Sequence, residues 1–204
     1  MDQEKFNEFL KIRTTYKLKH IARNNSNFYF DDKENIEYKR KETTAEHIYS
    51  CLKLADYFLS KEKEFEGLNR LKVYELLMYH DDCEIITGDV CVSETDKREN
   101  KKQEELEAIK TLKDIYPKIL ENKFELLNLE YINKTSDEAK FAKAIDKMDA
   151  LIHELDYIED WAKKGFTKKV IENCFFSSFE YSKTFINYYF NILKFLEING
   201  YFNL

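Results

Sequence analysis

The chain has 204 residues, of which 43% are hydrophobic and 35% charged, and its formal net charge at pH 7 is −6. This length and apolar content allow one compact domain, or one domain with a helical extension. The acidic balance excludes the broad basic surface with which proteins bind nucleic acid or anionic membranes, so we expect neither as a partner.

Few residues in the chain interrupt regular structure. Four glycines and one proline are present, so turns that need positive φ are scarce and long helices are favoured over an all-β fold. The first five residues are too charged for a signal peptide, and no apolar run approaches the roughly 18 residues of a membrane span. No C-x-x-C pair occurs among Cys51, Cys83, Cys91 and Cys174, and we expect a cytoplasmic protein with reduced, structural thiols.

Apolar residues recur at helical spacing along most of the chain, which predicts an all-α fold. The first clear helix covers residues 43–60, takes Thr43 or Thr44 as its N-cap, and places His47 in its first turn. The second covers residues 68–82 and ends at the tetrapeptide His80-Asp81-Asp82-Cys83.

Two more helices are predicted further along, over residues 98–116, close to Pro117, and over residues 137–163. Residues 24–42 and 83–97 show no convincing periodicity. Irregular stretches of that length inside a domain are usually functional or disordered, and the second one directly follows the His80 tetrapeptide.

The sequence from Phe166 onward is unusually aromatic. We therefore predict a domain of residues 1–165 and a C-terminal helical extension of residues 166–204. The rings pack either on the core of their own chain or on a second copy of the chain in a homodimer. They are Phe175, Phe176, Phe179, Tyr181, Phe185, Tyr188, Tyr189, Phe190 and Phe195.

Two of the four histidines lie on or at the end of predicted helices, in Ala45-Glu46-His47 and in His80-Asp81. Alone, each is more typical of a core residue than of a ligand. An acidic residue on helix 137–163 completes the order H…HD…D, which is more specific than any of its parts. Spacing leaves the choice on that helix open, because Asp146, Asp149 and His153 share one face.

This order and its surroundings resemble the HD-domain superfamily of metal-dependent phosphohydrolases, and within it the 5′-deoxynucleotidase-like branch. The resemblance covers roughly residues 10–160 and implies a helical bundle of the HD-domain type. The matching segments are Leu18-Lys19-His20-Ile21-Ala22-Arg23, Glu42-Thr43-Thr44-Ala45-Glu46-His47, His80-Asp81-Asp82-Cys83-Glu84 with Thr87-Gly88-Asp89, and Asp137-Glu138-Ala139-Lys140-Phe141 with Lys143-Ala144-Ile145-Asp146.

The resemblance implies one divalent metal ion, held by His47, His80, Asp81 and Asp146. Two imidazoles and two carboxylates suit Mn, Fe, Co, Ni or Zn, with Mg also open, and leave coordination positions for water and phosphate. No histidine lies between His80 and His153, so the additional imidazoles of two-metal branches are missing. Asp149 and His153 then orient ligands or face solvent.

The resemblance also implies roles for three residues outside the metal set. Glu84 takes a catalytic place, which its spacing from His80 and Asp81 supports, and Asp89 acts toward the sugar hydroxyl or the reacting centre. Arg23 binds the substrate phosphate. The structural alternatives are a solvated carboxylate for Glu84, a turn residue for Asp89 and a surface position for Arg23.

The implied function is removal of phosphate from a nucleoside 5′-monophosphate, a deoxyribonucleotide, as the small-molecule substrate. Two alternatives stay open. The same metal site would also serve another phosphoester or a nucleoside triphosphate, and the scaffold would also serve a non-catalytic nucleotide-sensing or interaction module. The family commonly has a tryptophan soon after the arginine, where this chain has Asn24-Asn25-Ser26-Asn27, so the packing of the base is unassigned.

Overall fold

The structure is a computed structural model and describes residues 3–31, 36–90 and 100–202. This part of the chain contains ten α-helices and a two-stranded sheet, so the prediction of a helical fold is confirmed, with a small sheet added. In chain order the elements are α1 Gln3–Ile12, β1 Ala22–Asp31, β2 Ile36–Thr43, α2 Thr44–Lys61, α3 Arg70–Tyr79, α4 Glu84–Thr87, α5 Lys101–Ile115, α6 Glu121–Asn133, α7 Asp137–His153, α8 Ile158–Lys163, α9 Lys168–Phe175 and α10 Lys183–Ile198.

The sheet lies where the sequence predicted an irregular stretch. Strands β1 and β2 are antiparallel, with Ala22 opposite Thr43 and Asn27 opposite Arg40, and the register shifts between Ala22 and Ser26. Polar residues occupy successive positions of both strands near this shift, so the alternation of apolar and polar residues that marks a half-buried strand is missing. The hairpin leads directly into α2.

Helix α2 begins at the predicted place because its first turn is capped twice. The side chain of Thr43 accepts a hydrogen bond from the backbone N–H of Glu46, and the Glu46 carboxylate accepts one from the N–H of Thr43 at 2.8 Å. This reciprocal arrangement satisfies two N–H groups that a helix start leaves free. It fixes the first turn, which carries His47.

The long helix predicted over residues 137–163 is broken. Helix α7 ends at His153, a 3₁₀ turn covers Glu154–Asp156, and α8 begins at Ile158. The backbone carbonyl of Glu154 accepts a hydrogen bond from the indole Nε1 of Trp161 at 3.0 Å, in place of a partner in a continued helix. Neither glycine nor proline marks this break, so the sequence pattern gave no signal for it.

The hydrophobic core lies between α2, α3, α7 and the C-terminal helices. The ring of Phe185, on α10, lies 5.0 Å from Phe58, 5.1 Å from Phe65 and 5.4 Å from Phe141, centroid to centroid. Phe175, Phe179, Phe185 and Tyr189 are buried in the core of their own chain, which was one of the two alternatives, whereas Tyr181, Phe190 and Phe195 are exposed. The boundary at residue 165 and a homodimer stay predictions.

Cys51 and Cys83 form no disulfide, and Cys91 lies outside the described residues. Across residues 3–31, 36–90 and 100–202, no helix combines the length and the apolar content that crossing a membrane requires.

Candidate active site

The four predicted metal ligands come together from three places in the fold. His47 lies on α2, His80 and Asp81 follow the last residue of α3, and Asp146 lies on α7. Nε2 of His47 lies 3.3 Å from Oδ1 of Asp146 and 3.7 Å from Oδ2 of Asp81, and Nε2 of His80 lies 3.1 Å from the same Asp81 oxygen. Donor atoms that share one metal at about 2.1 Å each lie roughly 3.0–3.4 Å apart.

Both imidazoles are held with one nitrogen bonded away from this cluster. Nδ1 of His80 donates to the backbone carbonyl of Leu77 at 2.7 Å, and Nδ1 of His47 donates to Oδ2 of Asp149 at 2.8 Å. In the neutral form of either ring, which is the form that binds a metal, Nε2 is then the nitrogen that carries the lone pair. Nε2 of His80 is buried without a hydrogen-bond partner, although a carboxylate oxygen lies beside it. A lone pair held against a carboxylate is unfavourable unless a cation lies between them, so these residues fit a divalent metal.

Asp146 is oriented by residues that the sequence analysis did not single out. The hydroxyl of Tyr131 donates to Oδ2 of Asp146 at 2.9 Å, and the ammonium groups of Lys143 and Lys147 lie 3.1 and 3.2 Å from the same oxygen. Burial acts to raise the pKa of Asp146, but the two lysines and His47 outweigh it and hold the pKa well below its usual range. Lys143 and Lys147 lie three residues before and one residue after Asp146, so their proximity could have been predicted from the sequence. Tyr131 comes from α6, and its contact with Asp146 could not.

Asp81 is paired with Arg23, which enters from the first strand. Nη1 of Arg23 donates to Oδ2 of Asp81 at 3.1 Å, and its Nε lies 3.5 Å from Oε2 of Glu42. Burial acts to raise the pKa of Asp81, but the charges of His80, Arg23 and His47 lower it further than burial raises it. Arg23 is 9% exposed and therefore does not occupy a surface position. Its assignment to the substrate phosphate stays a prediction.

Glu84 is buried, so it is not a solvated carboxylate. The hydroxyl of Thr44 donates to its Oε2 at 2.7 Å. Burial, together with the charge of Asp81, raises the pKa of Glu84 to about 8. A carboxyl group with a pKa near neutrality is suited to taking or giving a proton at physiological pH. The catalytic role itself stays a prediction.

Asp89 follows a turn at Gly88, whose φ of +69° favours glycine. Oδ2 of Asp89 accepts a hydrogen bond from the backbone N–H of Asn24 at 3.1 Å, which ties this loop to the first strand. The structure thus places Asp89 near Arg23 and the other predicted site residues.

Asp149 and His153 contact different partners. Asp149 is buried against His47, and it therefore orients a predicted ligand and does not face solvent. Nε2 of His153 donates to the carbonyl of Ser26 at 2.5 Å, and its Nδ1 lies 3.5 Å from Oε1 of Glu42. Glu42 was not predicted as a partner of Arg23 or His153, although it lies five residues before His47 in the sequence.

The family-model comparison agrees with this geometry. Residues 16–174 match the family model described as "HD domain". This chain belongs to the HD domain family.

Among curated proteins, this HD domain chain is 31% identical over 126 residues to the 5′-deoxynucleotidase HDDC2 of Bos taurus, covering 62% of the chain and 58% of that protein. It is 29% identical over 127 residues to the 5′-deoxynucleotidase HDDC2 of Homo sapiens, covering 62% and 60%. The chain therefore spans about three fifths of the length of these relatives.

Solved structures share the fold of this HD domain. A "predicted metal-dependent phosphohydrolase" of Magnetospirillum magnetotacticum MS-1 has a TM-score of 0.78 at 22% identity, with 96% of this chain and 93% of that chain covered. An HD-domain phosphohydrolase of Listeria innocua has a TM-score of 0.58 at 21% identity, with 83% and 77% covered. At these identities the likeness concerns the fold alone.

A cavity of about 350 Å³ adjoins the predicted metal ligands of this HD domain. Its volume lies in the range of small-molecule sites. His80, Asp81, Glu84, Asp89 and Asp146 all line it. Its cationic lining residues are Arg23, Lys101, Lys102, Lys134, Lys143 and Lys147, and its apolar ones include Leu151, Trp161, Phe166, Ile171 and Phe175. Such a lining suits an anion joined to an apolar ring.

Cys51 is a further potential donor, because its Sγ lies within 4.8 Å of ligand nitrogens of both His47 and His80. It lies 3.5 Å from Nε2 and 3.7 Å from Nδ1 of His47, so it packs against the ring and does not lie along one lone pair. Burial raises the pKa of this thiol to about 12. The Sγ atom lies against the ring of His47, and Cys51 packs there as a small buried residue of this HD domain.

Proposed function

We propose that this chain is a metal-dependent phosphohydrolase that removes phosphate from nucleoside 5′-monophosphates, with deoxyribonucleotides as its substrates. One divalent metal is held by His47, His80, Asp81 and Asp146. The named activity of the curated relatives supports this choice of reaction.

The observation that carries the proposal is the unpaired Nε2 of His80, 3.1 Å from a carboxylate oxygen of Asp81 in a buried cluster. Two electron-rich atoms in this position call for a cation, and the cluster opens into a cavity with cationic walls. The donor set suits Mn, Fe, Co, Ni, Zn or Mg ions. A bound divalent ion supplies a Lewis acid that polarises phosphoryl oxygens and acidifies water.

Three residues of the chain act on the substrate in this proposal. The guanidinium of Arg23 binds the phosphate and neutralises part of its charge. Glu84 in its ionised form, with Oε2 fixed by Thr44, takes the proton of the attacking water at Oε1 while the water oxygen bonds to phosphorus. The bond between phosphorus and the 5′ oxygen breaks, and that oxygen takes up a proton and leaves as the nucleoside hydroxyl. Asp89 acts on the sugar hydroxyl or on the leaving oxygen.

The lysines of the cavity favour a second candidate, a nucleoside triphosphate as substrate of the same site. Lys101, Lys102 and Lys134 line the cavity in addition to the two lysines beside Asp146. This many ammonium groups suits more negative charge than one phosphate carries. The two candidates differ in the product released.

The experiment is to strip the protein with a chelator, reload it with Mn, Co, Zn, Fe, Ni or Mg, and supply nucleoside mono- and triphosphates. We expect inorganic phosphate from deoxynucleoside monophosphates, since one P–O bond is hydrolysed. Release of triphosphate or diphosphate from triphosphates alone would favour the second candidate. If no metal supported hydrolysis, a non-catalytic nucleotide-sensing or interaction module would be the remaining alternative.

Asp81→Ala tests the metal site directly. It removes a charged ligand, so we expect loss of both metal binding, measured by calorimetry, and turnover. Asp114→Ala, at an exposed position on α5, is the matched control and should change neither. Full activity in Asp81→Ala would contradict the proposed site.

A further inference from the structure

Glu154 is a buried carboxylate that the proposed reaction does not use. Its residue is 3% exposed, and it lines the cavity next to the metal-ligand cluster. Oε1 accepts a hydrogen bond from the ammonium of Lys164 at 2.8 Å, whereas Oε2 is buried without a hydrogen-bond partner. Lys164 thus fixes the carboxylate and leaves one acceptor unused.

An unused acceptor of this kind is unfavourable in the protein alone. A buried carboxylate oxygen has lost its water and gains nothing in return until a donor reaches it. Such groups are rare in folded proteins and call for an explanation. Because Glu154 lines the cavity, a ligand in the cavity can supply the donor.

The position of Glu154 matches one end of a nucleotide. Asp146 and Glu154 are eight residues apart along α7 and its following turn, a separation of about 12 Å at the helical rise of 1.5 Å per residue. Lys147, Ala150 and Leu151 line the cavity between them. A phosphate at the Asp146 end places the base of an extended nucleotide near Glu154.

The surroundings of Glu154 suit a flat heterocycle. Trp161 donates to the Glu154 carbonyl and its ring lies 5.6 Å from that of Phe166, so two aromatic residues of the cavity lining lie beside Glu154. A base stacks favourably on aromatic side chains. The base packing that the sequence left unassigned after Arg23 thus has a candidate site after α7. Oε2 of Glu154 is available there as a hydrogen-bond acceptor.

We propose that Glu154 is a specificity-determining residue, whose Oε2 accepts a hydrogen bond from the exocyclic amine of the base. This inference rests on the proposed function, because it takes a nucleotide as the ligand. Cytosine, adenine and guanine carry such an amine. Uracil and thymine present a carbonyl oxygen at the corresponding position, which a carboxylate disfavours.

Cytosine and uracil have the same ring and differ at C4, an amine against a carbonyl, and at the adjacent N3, which carries a proton only in uracil. The two nucleotides dCMP and dUMP are therefore the matched ligands for a contact at C4. Their phosphonate analogues, in which a methylene replaces the 5′ oxygen, bind without being hydrolysed. Dissociation constants are measured by calorimetry on the Mn-loaded protein at pH 8. Burial raises the pKa of Glu154 while the Lys164 ammonium opposes the rise, so an alkaline pH is chosen to favour the carboxylate form. We expect the dCMP analogue to bind about tenfold tighter or more.

Glu154→Gln keeps the size of the side chain and adds a donor that reaches the uracil carbonyl. The preference for dCMP should therefore disappear or reverse, chiefly through tighter binding of the dUMP analogue. Glu172→Gln, at an exposed position on the helix that carries Phe175, is the matched control and should keep the parent preference. The comparison in the unmodified protein stands even if Glu154→Gln fails to fold.

Equal binding of the two analogues by the parent protein would overturn the inference, as would an unchanged preference in a folded Glu154→Gln. Failure to bind either analogue would overturn it as well. Hydrolysis of dCMP is measured in parallel. A preference for the dCMP analogue without any release of phosphate supports the base contact and contradicts the proposed function, so the two failures are distinguishable.

Discussion

Nδ1 of His47 donates to Oδ2 of Asp149 at 2.8 Å. Asp149 lies one turn after Asp146 on helix α7. Helix α7 therefore provides both a proposed metal ligand and the carboxylate that orients a second one. The carboxylate also raises the basicity of the imidazole, so that Nε2 becomes a better donor toward a metal.

Removing this carboxylate should weaken the metal site without removing a ligand. We expect Asp149→Ala to reduce metal affinity by about 10- to 100-fold, measured by titration against a competing chelator. Asp149→Asn should lose less, because its amide oxygen can still accept from Nδ1. Asp156→Ala, at an exposed position soon after α7, is the control. Parent affinity in folded Asp149→Ala would contradict the orienting role.

The proposed roles of Glu84 and Arg23 predict different kinetic effects. Glu84→Ala should lower kcat by on the order of a hundredfold or more while metal binding and KM stay near parent values, because proton transfer acts in the transition state. Arg23→Ala should also raise KM, since the phosphate contact exists before any bond breaks. Steady-state kinetics on the metal-loaded variants separate the two. If Glu84→Ala with metal bound turned over at the parent rate, the proton-transfer role would pass to Asp89 or Asp149.

The high pKa of Glu84, about 8, predicts how stability depends on pH in the metal-free protein. Above pH 4.5 the unfolded chain releases this proton, but the folded chain keeps it until about pH 8. Stability therefore falls across that interval. Glu84→Gln stays neutral and keeps the hydrogen bond from Thr44, so it should be more stable than the parent at pH 8, by on the order of a few kcal/mol, and similar near pH 4.5.

Urea unfolding with chelator present, at pH 5 and pH 8, measures this difference. Glu172→Gln, on the surface, should show no comparable trend. An equal stability gap between Glu84→Gln and the parent at both pH values would mean that the proton on Glu84 does not set the difference.

The aromatic packing of α10 predicts a large effect of one substitution. Phe185 is fully buried among Phe58, Phe65 and Phe141, so Phe185→Ala should lower the free energy of unfolding by about 3–5 kcal/mol. Phe190→Ala, where the ring is 52% exposed, should lower it much less. Denaturant unfolding of both variants is the measurement.

A chain ending at Lys164 that stayed folded and soluble would instead support an independent domain of residues 1–165.

The sequence predicted best what local patterns determine. Helix α2 begins at its threonine cap, and α3 ends at Tyr79, directly before His80, because capping and apolar spacing act within a few residues. The polar hairpin was missed because its strands lack alternation. The break after His153 was missed because the contact of Trp161 with the Glu154 carbonyl forms only once the chain has folded.

The same distinction holds for the candidate site. The resemblance to the HD-domain superfamily implied His47, His80, Asp81 and Asp146, and the structure brings these four residues together. The partners that orient them were harder to predict. Tyr131 and Leu77 are ordinary core positions in the sequence, and only the packing of helices gives the Tyr131 hydroxyl and the Leu77 carbonyl their contacts.

Trp161 is the one tryptophan in the sequence, and it lines the cavity. Its indole is 1% exposed and donates to the carbonyl of Glu154. All tryptophan emission of this protein therefore arises at one fixed point on the cavity wall. A nucleotide base that enters beside Trp161 alters the surroundings of a single fluorophore, and the intensity or wavelength of its emission reports occupancy without any label. The intrinsic fluorescence of Trp161 can therefore be used to follow ligand binding in titrations.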